Sequence, residues 1–183
     1  MTAYEHTLLD WRPRRAREDD TAALETLIPL SARTLQASHY TSAQIEAALG
    51  PIFAVDRQLI GDGSYFVVEH EGQILGCGGW GKRRSIFGEG SVGDLLDPQR
   101  DAARIRAFFV HPAWARRGIA RSLLLATEKD LCAAHFRSSE LVATLTGERL
   151  YASCGYAASK RYEINIPGKP SLPVVFMVKS FDS

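Results

Sequence analysis

The sequence lacks a long apolar run. No stretch of its 183 residues approaches the roughly 18 uninterrupted apolar residues that a membrane-spanning helix needs. The first ten residues, Met1 to Asp10, also lack the basic start and apolar run of a secretion signal. We therefore expect a protein that is neither membrane-embedded nor exported.

Paired cysteines are lacking as well. The three cysteines, Cys77, Cys132 and Cys154, are an odd number without close spacing. This excludes a disulfide framework and gives no pattern for a zinc site. The expectation is a cytoplasmic protein without a metal.

The chain has almost no excess of charge of one sign, since 22 basic and 21 acidic residues leave a formal net charge of +1. Such a balance gives no broad field for collecting polyanions, so nucleic acid is not an expected partner. The 45% hydrophobic and 23% charged content is that of an ordinary globular protein. Its length suits one domain, which we place at residues 1–183.

Helical periodicity marks the first third of the chain, after a short strand at Trp11 to Arg17. A helix is predicted from about Thr21, and Pro29 predicts that it divides into two pieces. A further short helix is predicted to begin after Thr41 or Ser42, either of which can cap it.

From Ser64 the pattern becomes that of strands, and the long Gly- and Asp-rich stretch Arg83 to Ala102 is predicted to be a loop. The sum is an α/β domain on a mixed sheet of about six or seven strands flanked by helices. The predicted strands are Tyr65 to Glu69, Gln73 to Cys77, Ile105 to Val110, Leu141 to Leu145, Tyr162 to Ile166 and Val174 to Val178, and the predicted helices among them are Gly118 to Ala134 and Glu148 to Ser153.

The run Gly76 to Gly81 fits the pattern Gly-x-Gly-x-x-Gly of dinucleotide-binding folds. That motif should open a helix, whereas Lys82, Arg83 and the residues after them open a loop. We interpret these glycines as a bulged strand or as the close approach of another backbone.

The strongest functional signal is the junction between the strand ending at Val110 and the helix beginning near Gly118. The first amides of a helix have no intrahelical acceptor and carry the positive end of its dipole, so they bind phosphate groups. Gly118 and Ala120 leave this backbone uncovered, while Arg116 and Arg117 add positive charge. The junction therefore predicts a phosphate or diphosphate site.

Two motifs in order resemble those of the GNAT superfamily of N-acetyltransferases. The segment Phe108 to Leu124 is similar to its central motif, a strand ending in Val-x-Pro followed by Gln/Arg-x-x-Gly-x-Gly/Ala. The segment Leu141 to Tyr156 is similar to its second motif, a strand and a short helix ending in Tyr-x-x-x-Gly-Phe/Tyr. Ala115 departs from the first motif, and Thr144 stands where the family often has a cofactor-contacting Asn.

The resemblance implies a mostly antiparallel sheet that splays open where acetyl-CoA binds as co-substrate. No metal is implied, and because relatives often form dimers, a homodimer is a further expectation. The residues implied to bind the cofactor are Phe108, Phe109, Val110, Arg116, Arg117, Gly118, Ile119, Ala120, Arg121, Ser122, Thr144 and Tyr151.

The family reaction is direct attack of a primary amine on the thioester, with the acceptor either a small molecule or a protein. It implies that the Val110 amide polarises the acetyl carbonyl and that Tyr151 is the general acid for the leaving thiolate. Glu69 is our candidate for the base, with His70, Glu163, His39 or a water chain as alternatives. The alternative function is a CoA-binding relative that has lost catalysis and acts as a sensor or interaction module.

Overall fold

The structure is a computed structural model that describes residues 10–84 and 95–181. The helices are α1 (Thr21–Leu35), α2 (Ser42–Ala48), α3 (Arg57–Gly61), α4 (Ile119–Ala133) and α5 (Glu148–Ser153). The strands are β1 (Arg14–Arg15), β2 (Tyr65–His70), β3 (Gln73–Gly81), β4 (Ala103–Val110), β5 (Ser138–Thr144), β6 (Ala157–Ile164) and β7 (Leu172–Ser180).

The seven strands form one sheet in the order β1-β2-β3-β4-β5-β7-β6. Only β4 and β5 run parallel, and the other neighbours are antiparallel. Buried apolar side chains pack α1 and α2 on one face of the sheet and α4 on the other. The predicted mixed α/β fold with six or seven strands is confirmed.

The parallel pair β4 and β5 separates part-way along its length. The two strands pair at Ala103 with Ser139, Arg104 with Glu140 and Ile105 with Leu141, and the ladder ends there although both strands continue. A bulge lies just beyond this point, where Ala107 adopts a positive φ of 61°. Since a bulge bends the strand that carries it, β4 turns away from β5 and opens a gap.

Helix α1 corrects one prediction, because Pro29 lies inside a single continuous helix rather than dividing two pieces. Proline removes one backbone hydrogen bond from a helix interior. The buried side chains of Leu24, Leu27 and Ile28 anchor the helix before the proline, and the buried side chain of Ala32 anchors it after the proline. Apolar burial therefore offsets the local cost of the proline.

Other boundaries also differ from the predictions. Strand β1 is limited to Arg14–Arg15, and the five-residue helix α3 was not predicted. Half of the predicted loop at Arg83 to Ala102, residues 85–94, lies outside the described residues. Within the described ranges, no helix combines the length and apolar character needed to cross a membrane.

The glycines of β3 lie where another backbone approaches the strand closely, which is one of the two interpretations given above. The β3–β4 register shifts between Cys77 and Gly79, at the bulge of β4. A side chain at Gly79 would overlap the backbone carbonyl oxygen of Ser64 and lie 2.9 Å from the Cα of Tyr65. One at Gly78 would lie 2.6 Å from the ring of Phe108. The glycine run is therefore a close-packed strand, as expected.

This packing predicts a large difference between two Gly→Ala substitutions. Gly79→Ala should lower the free energy of unfolding by about 2 kcal/mol, because the added methyl group forces backbone apart. Gly61→Ala, with open space around its Cβ position, should leave stability unchanged or slightly raised. Urea denaturation of both variants measures the difference, and equal midpoints would contradict the close approach at Gly79.

Candidate active site

A cleft of about 490 Å³ occupies the gap between β4 and β5. It reaches both faces of the sheet, because its walls include side chains from either side. Phe108 and Tyr151 belong to the face that α4 covers, whereas Phe53 and Phe109 belong to the α1 face. A molecule lying in the cleft would thus pass through the sheet between two strands.

The predicted phosphate-binding turn lies at one end of this cleft. Gly118 precedes α4 with a positive φ of 86°, which suits glycine, and the first helical hydrogen bond runs from the Ser122 amide to the Gly118 carbonyl at 2.9 Å. The amides of Ile119, Ala120 and Arg121 come before that bond and have no intrahelical acceptor. Since Ala120 lines the cleft, the positive end of the α4 dipole meets it.

Side chains around the turn leave it accessible. Arg116, Arg117, Gly118 and Arg121 are exposed. The Ile119 side chain is instead 1% exposed and packs into the core, so only its amide is available. The turn thus combines free helix amides with three guanidinium groups, as the sequence predicts for an anion site.

The predicted strand contacts lie deeper in the cleft. Phe108, Phe109, Val110 and Thr144 all line it. The Val110 amide donates a hydrogen bond to the buried Ser31 hydroxyl oxygen at 3.2 Å. The Thr144 hydroxyl oxygen accepts from the Gly147 amide at 3.2 Å, so it holds the turn that leads into α5.

Tyr151 projects from α5 into the cleft. Its ring is 8% exposed and packs edge-on against Phe108 and Tyr156 at centroid distances of 6.1 and 5.8 Å. The hydroxyl forms no hydrogen bond with any residue in the described ranges. Burial raises the pKa of Tyr151 well above its usual value, so the phenol keeps its proton at neutral pH.

The comparisons with known proteins agree with this geometry. The family model described as an acetyltransferase (GNAT) domain matches residues 61–158, which include β4, the turn, α4 and Tyr151. This chain belongs to the GNAT superfamily. A search of curated proteins finds no match to it.

Solved structures of GNAT proteins share the fold. A GCN5-related N-acetyltransferase from Rhodopseudomonas palustris is 22% identical, with a TM-score of 0.70 over 93% of this chain and 96% of that one. The PaiA N-acetyltransferase from Thermoplasma acidophilum, solved with coenzyme A, gives 13% identity and a TM-score of 0.64 over 93% and 98%. A GNAT family acetyltransferase from Brucella melitensis, solved with acetyl-CoA, gives 17% and 0.57 over 94% and 88%.

Glu69, the base predicted for this GNAT protein, is not brought to the cleft. Its carboxylate accepts hydrogen bonds of 3.0 and 2.5 Å from the Arg14 guanidinium, which also pairs with Asp20 at 2.8 Å. Glu69 does not line the cleft, and neither do the alternatives His70 and Glu163. The ion pair fixes Glu69 to β1 instead.

The predicted base candidate His39 contacts a residue of the cleft wall, because its Nδ1 is 3.1 Å from the hydroxyl of Thr146, which lines the cleft. The ring itself is exposed, and the Ser38 hydroxyl contacts the same nitrogen at 2.9 Å. His39 is therefore a rim residue of the GNAT cleft.

Sequence reasoning missed two ion pairs on the α1 side of the cleft. The Arg106 Nε donates to the Asp56 carboxylate at 2.7 Å, with both side chains less than 10% exposed. Arg104 pairs with Glu140 across the last rungs between β4 and β5. The alternation of Arg104 and Arg106 in an apolar strand could have indicated the charged face. No local signal marked Asp56, which lies in a loop 50 residues away.

Metal ligation has no support in the described part of this GNAT domain, where no group of three or more His, Cys, Asp or Glu side chains is arranged to hold an ion. The chemical groups that line the cleft are helix amides, a strand amide, a protonated phenol and the ion pairs Asp56–Arg106 and Glu140–Arg104.

Proposed function

We propose that this protein is an acetyl-CoA-dependent N-acetyltransferase that moves an acetyl group to a primary amine by direct attack. One observation carries the proposal. The first amides of α4 open onto a cleft that continues through the gap between β4 and β5, with a buried phenol beside it. Membership of the GNAT superfamily supports the same reading.

In this proposal the coenzyme A diphosphate binds at the amides of Ile119, Ala120 and Arg121. The guanidinium groups of Arg116 and Arg117 add attraction at the rim. The pantetheine arm lies in the gap between β4 and β5, where the backbone of β4 beyond Ile105 has left the β5 ladder. The acetyl group then reaches the neighbourhood of Val110 and Tyr151.

The Val110 amide polarises the acetyl carbonyl. Ser31 accepts the hydrogen bond of this amide in the free protein, and the carbonyl oxygen of acetyl-CoA takes the place of the Ser31 hydroxyl as acceptor. A fixed amide donor gains strength as negative charge develops on that oxygen in the transition state. Bringing the amine and thioester together in one cleft supplies the remaining acceleration by proximity.

In this proposal Tyr151 is the general acid. The neutral amine attacks, the C–N bond forms and the C–S bond breaks, while the Tyr151 hydroxyl donates its proton to the leaving thiolate. The attacking nitrogen loses its own proton to water in the cleft, and this water returns a proton to the Tyr151 phenolate, which restores the acid for the next turnover. This route needs no covalent intermediate and does not use Glu69, whose carboxylate is held by Arg14.

The amine reaches the thioester from the α1 face, where Asp56, Arg106, Phe53 and Phe109 line the cleft. This face is separate from the α4 face that receives the diphosphate. Donor and acceptor therefore approach the reacting carbon from opposite sides of the sheet.

The proposal is tested by mixing the protein with acetyl-CoA and a panel of primary amines and following the release of free thiol. Amine-dependent thiol release with stoichiometric N-acetyl product is the expected result. Binding of acetyl-CoA by calorimetry without turnover on any amine would replace this proposal with the non-catalytic CoA-binding function. Absence of both binding and turnover would remove coenzyme A from the proposal altogether.

A further inference from the structure

The segment that precedes β1 is tied to the diphosphate turn by two hydrogen bonds from one residue, Trp11. The indole Nε1 of Trp11 donates to the Arg117 carbonyl oxygen at 2.7 Å. The Trp11 carbonyl oxygen accepts from the Ser122 hydroxyl at 2.9 Å. One bond therefore holds the turn and the other holds the first turn of α4, although the residues are 106 and 111 positions apart.

Aromatic packing fixes the position of Trp11 itself. Its ring meets Trp114 edge-on at 5.8 Å and His70, at the end of β2, edge-on at 6.1 Å. The Arg117 guanidinium lies over the Trp114 ring at 4.8 Å. These contacts join the turn to the sheet through a compact cluster of rings, so the indole N–H has little freedom to move away from its acceptor.

The direction of the Arg117 carbonyl matters for anion binding. In a planar trans peptide the carbonyl and the following N–H point in opposite directions. Because the Arg117 carbonyl is held toward Trp11, the Gly118 amide is directed to the opposite side of the turn. The positive φ of Arg116 and Gly118, 65° and 86°, shows that the turn is a constrained conformation that needs such support.

We propose that Trp11 is a positioning residue for the cofactor: it sets the orientation of the Arg116 to Gly118 turn so that the Gly118 amide and the first amides of α4 together receive a diphosphate. This inference rests on the proposed function, in which that diphosphate belongs to coenzyme A. Trp11 touches no reacting atom in this role, so its removal affects binding of the diphosphate and not the chemical step.

The experiment compares the wild type with Trp11→Phe by calorimetry, using coenzyme A, ADP and pantetheine as probes. Phenylalanine keeps an aromatic ring and removes the indole N–H. We expect the Kd for coenzyme A and ADP to rise about tenfold, the effect of losing one hydrogen bond that fixes a binding group. The Kd for pantetheine, which lacks the diphosphate, should not change.

The matched control is Trp80→Phe. Trp80 also donates from its indole Nε1, to Asp130 at 2.8 Å, and also packs edge-on against a ring, that of Phe136. It does not line the cleft, so this variant should bind coenzyme A as the wild type does. Ser122 was predicted to bind the cofactor, but its hydroxyl donates to the Trp11 carbonyl oxygen and its amide donates to the Gly118 carbonyl oxygen. Ser122→Ala therefore removes the other bond to Trp11 and should weaken coenzyme A binding about threefold, which keeps the test available if Trp11→Phe folds poorly.

The outcomes separate this inference from the proposed function. Unchanged coenzyme A affinity in Trp11→Phe, or an equal loss in Trp80→Phe, would overturn the role of Trp11 while leaving cofactor binding intact. An equal rise in the Kd for pantetheine would also overturn it, since a general destabilisation of the fold would weaken the binding of all three probes. A wild type that binds neither coenzyme A nor ADP would instead overturn the proposed function.

Discussion

Replacing Ala120 with glutamate should weaken the binding of acetyl-CoA about a thousandfold. Ala120 is the second residue of α4 and lines the cleft, so the new carboxylate would lie at the proposed diphosphate site. It would accept hydrogen bonds from the free helix amides and repel the incoming anion. Two unit charges about 4 Å apart near a protein surface interact by roughly 4 kcal/mol, which corresponds to about three orders of magnitude in affinity.

The fold should survive this change, because an acidic side chain in the first turn of a helix interacts favourably with the helix dipole. The matched control is Ala133→Glu, which places the same exposed carboxylate at the last residue of α4. That variant should be slightly less stable, because the dipole there has the opposite sign, and should still bind acetyl-CoA. Calorimetry and thermal unfolding give both quantities, and undiminished binding in Ala120→Glu would refute the location of the diphosphate site.

Replacing Tyr151 with phenylalanine should lower kcat about a hundredfold with little change in the KM for acetyl-CoA. A positioned proton donor contributes roughly 10²–10⁴-fold in rate, and the substitution removes only the hydroxyl. The ring would remain to pack against Phe108 and Tyr156, so the cleft keeps its shape. Steady-state kinetics with a saturating amine measures the effect.

The pH dependence of the wild type adds a second measurement on Tyr151. Because burial raises the pKa of this phenol, it remains protonated and able to donate through pH 10. Activity should therefore show no alkaline loss from Tyr151 below that pH. Tyr162→Phe, which removes a phenol that does not line the cleft, should leave kcat unchanged. A Tyr151→Phe enzyme with full kcat would mean that the thiolate leaves without this acid.

The turn proposed to bind the diphosphate was predictable from the sequence because all of its parts are contiguous. The strand that ends at Val110, the glycine at 118 and the helix that follows are local signals, and the structure brings them together as predicted. The Pro29 prediction failed for the opposite reason. It applied a local rule to a helix whose stability comes from Leu24, Leu27 and Ile28 packing against the sheet.

Contacts between distant parts of the chain were not predictable. Ser31 is 79 positions along the sequence from Val110, whose amide donates a hydrogen bond to it, and no pattern in either segment predicts this contact. Glu69 looked available for catalysis because its partner Arg14 is 55 residues away. A single sequence thus predicts the strand, turn and helix of a candidate anion site, but it does not predict a cleft assembled from several elements.

Because the hydrogen-bonded ladder between β4 and β5 is short, the sheet consists of two parts that are only weakly joined. One part comprises β1 to β4 and the other comprises β5, β7 and β6, and three residue pairs join their edges. A ligand arm bound between the separated parts of β4 and β5 would contact both strands and so reduce the motion of one part of the sheet relative to the other. The domain would then be most rigid when its cofactor is bound, and ligand that binds only the folded state stabilises that state by mass action.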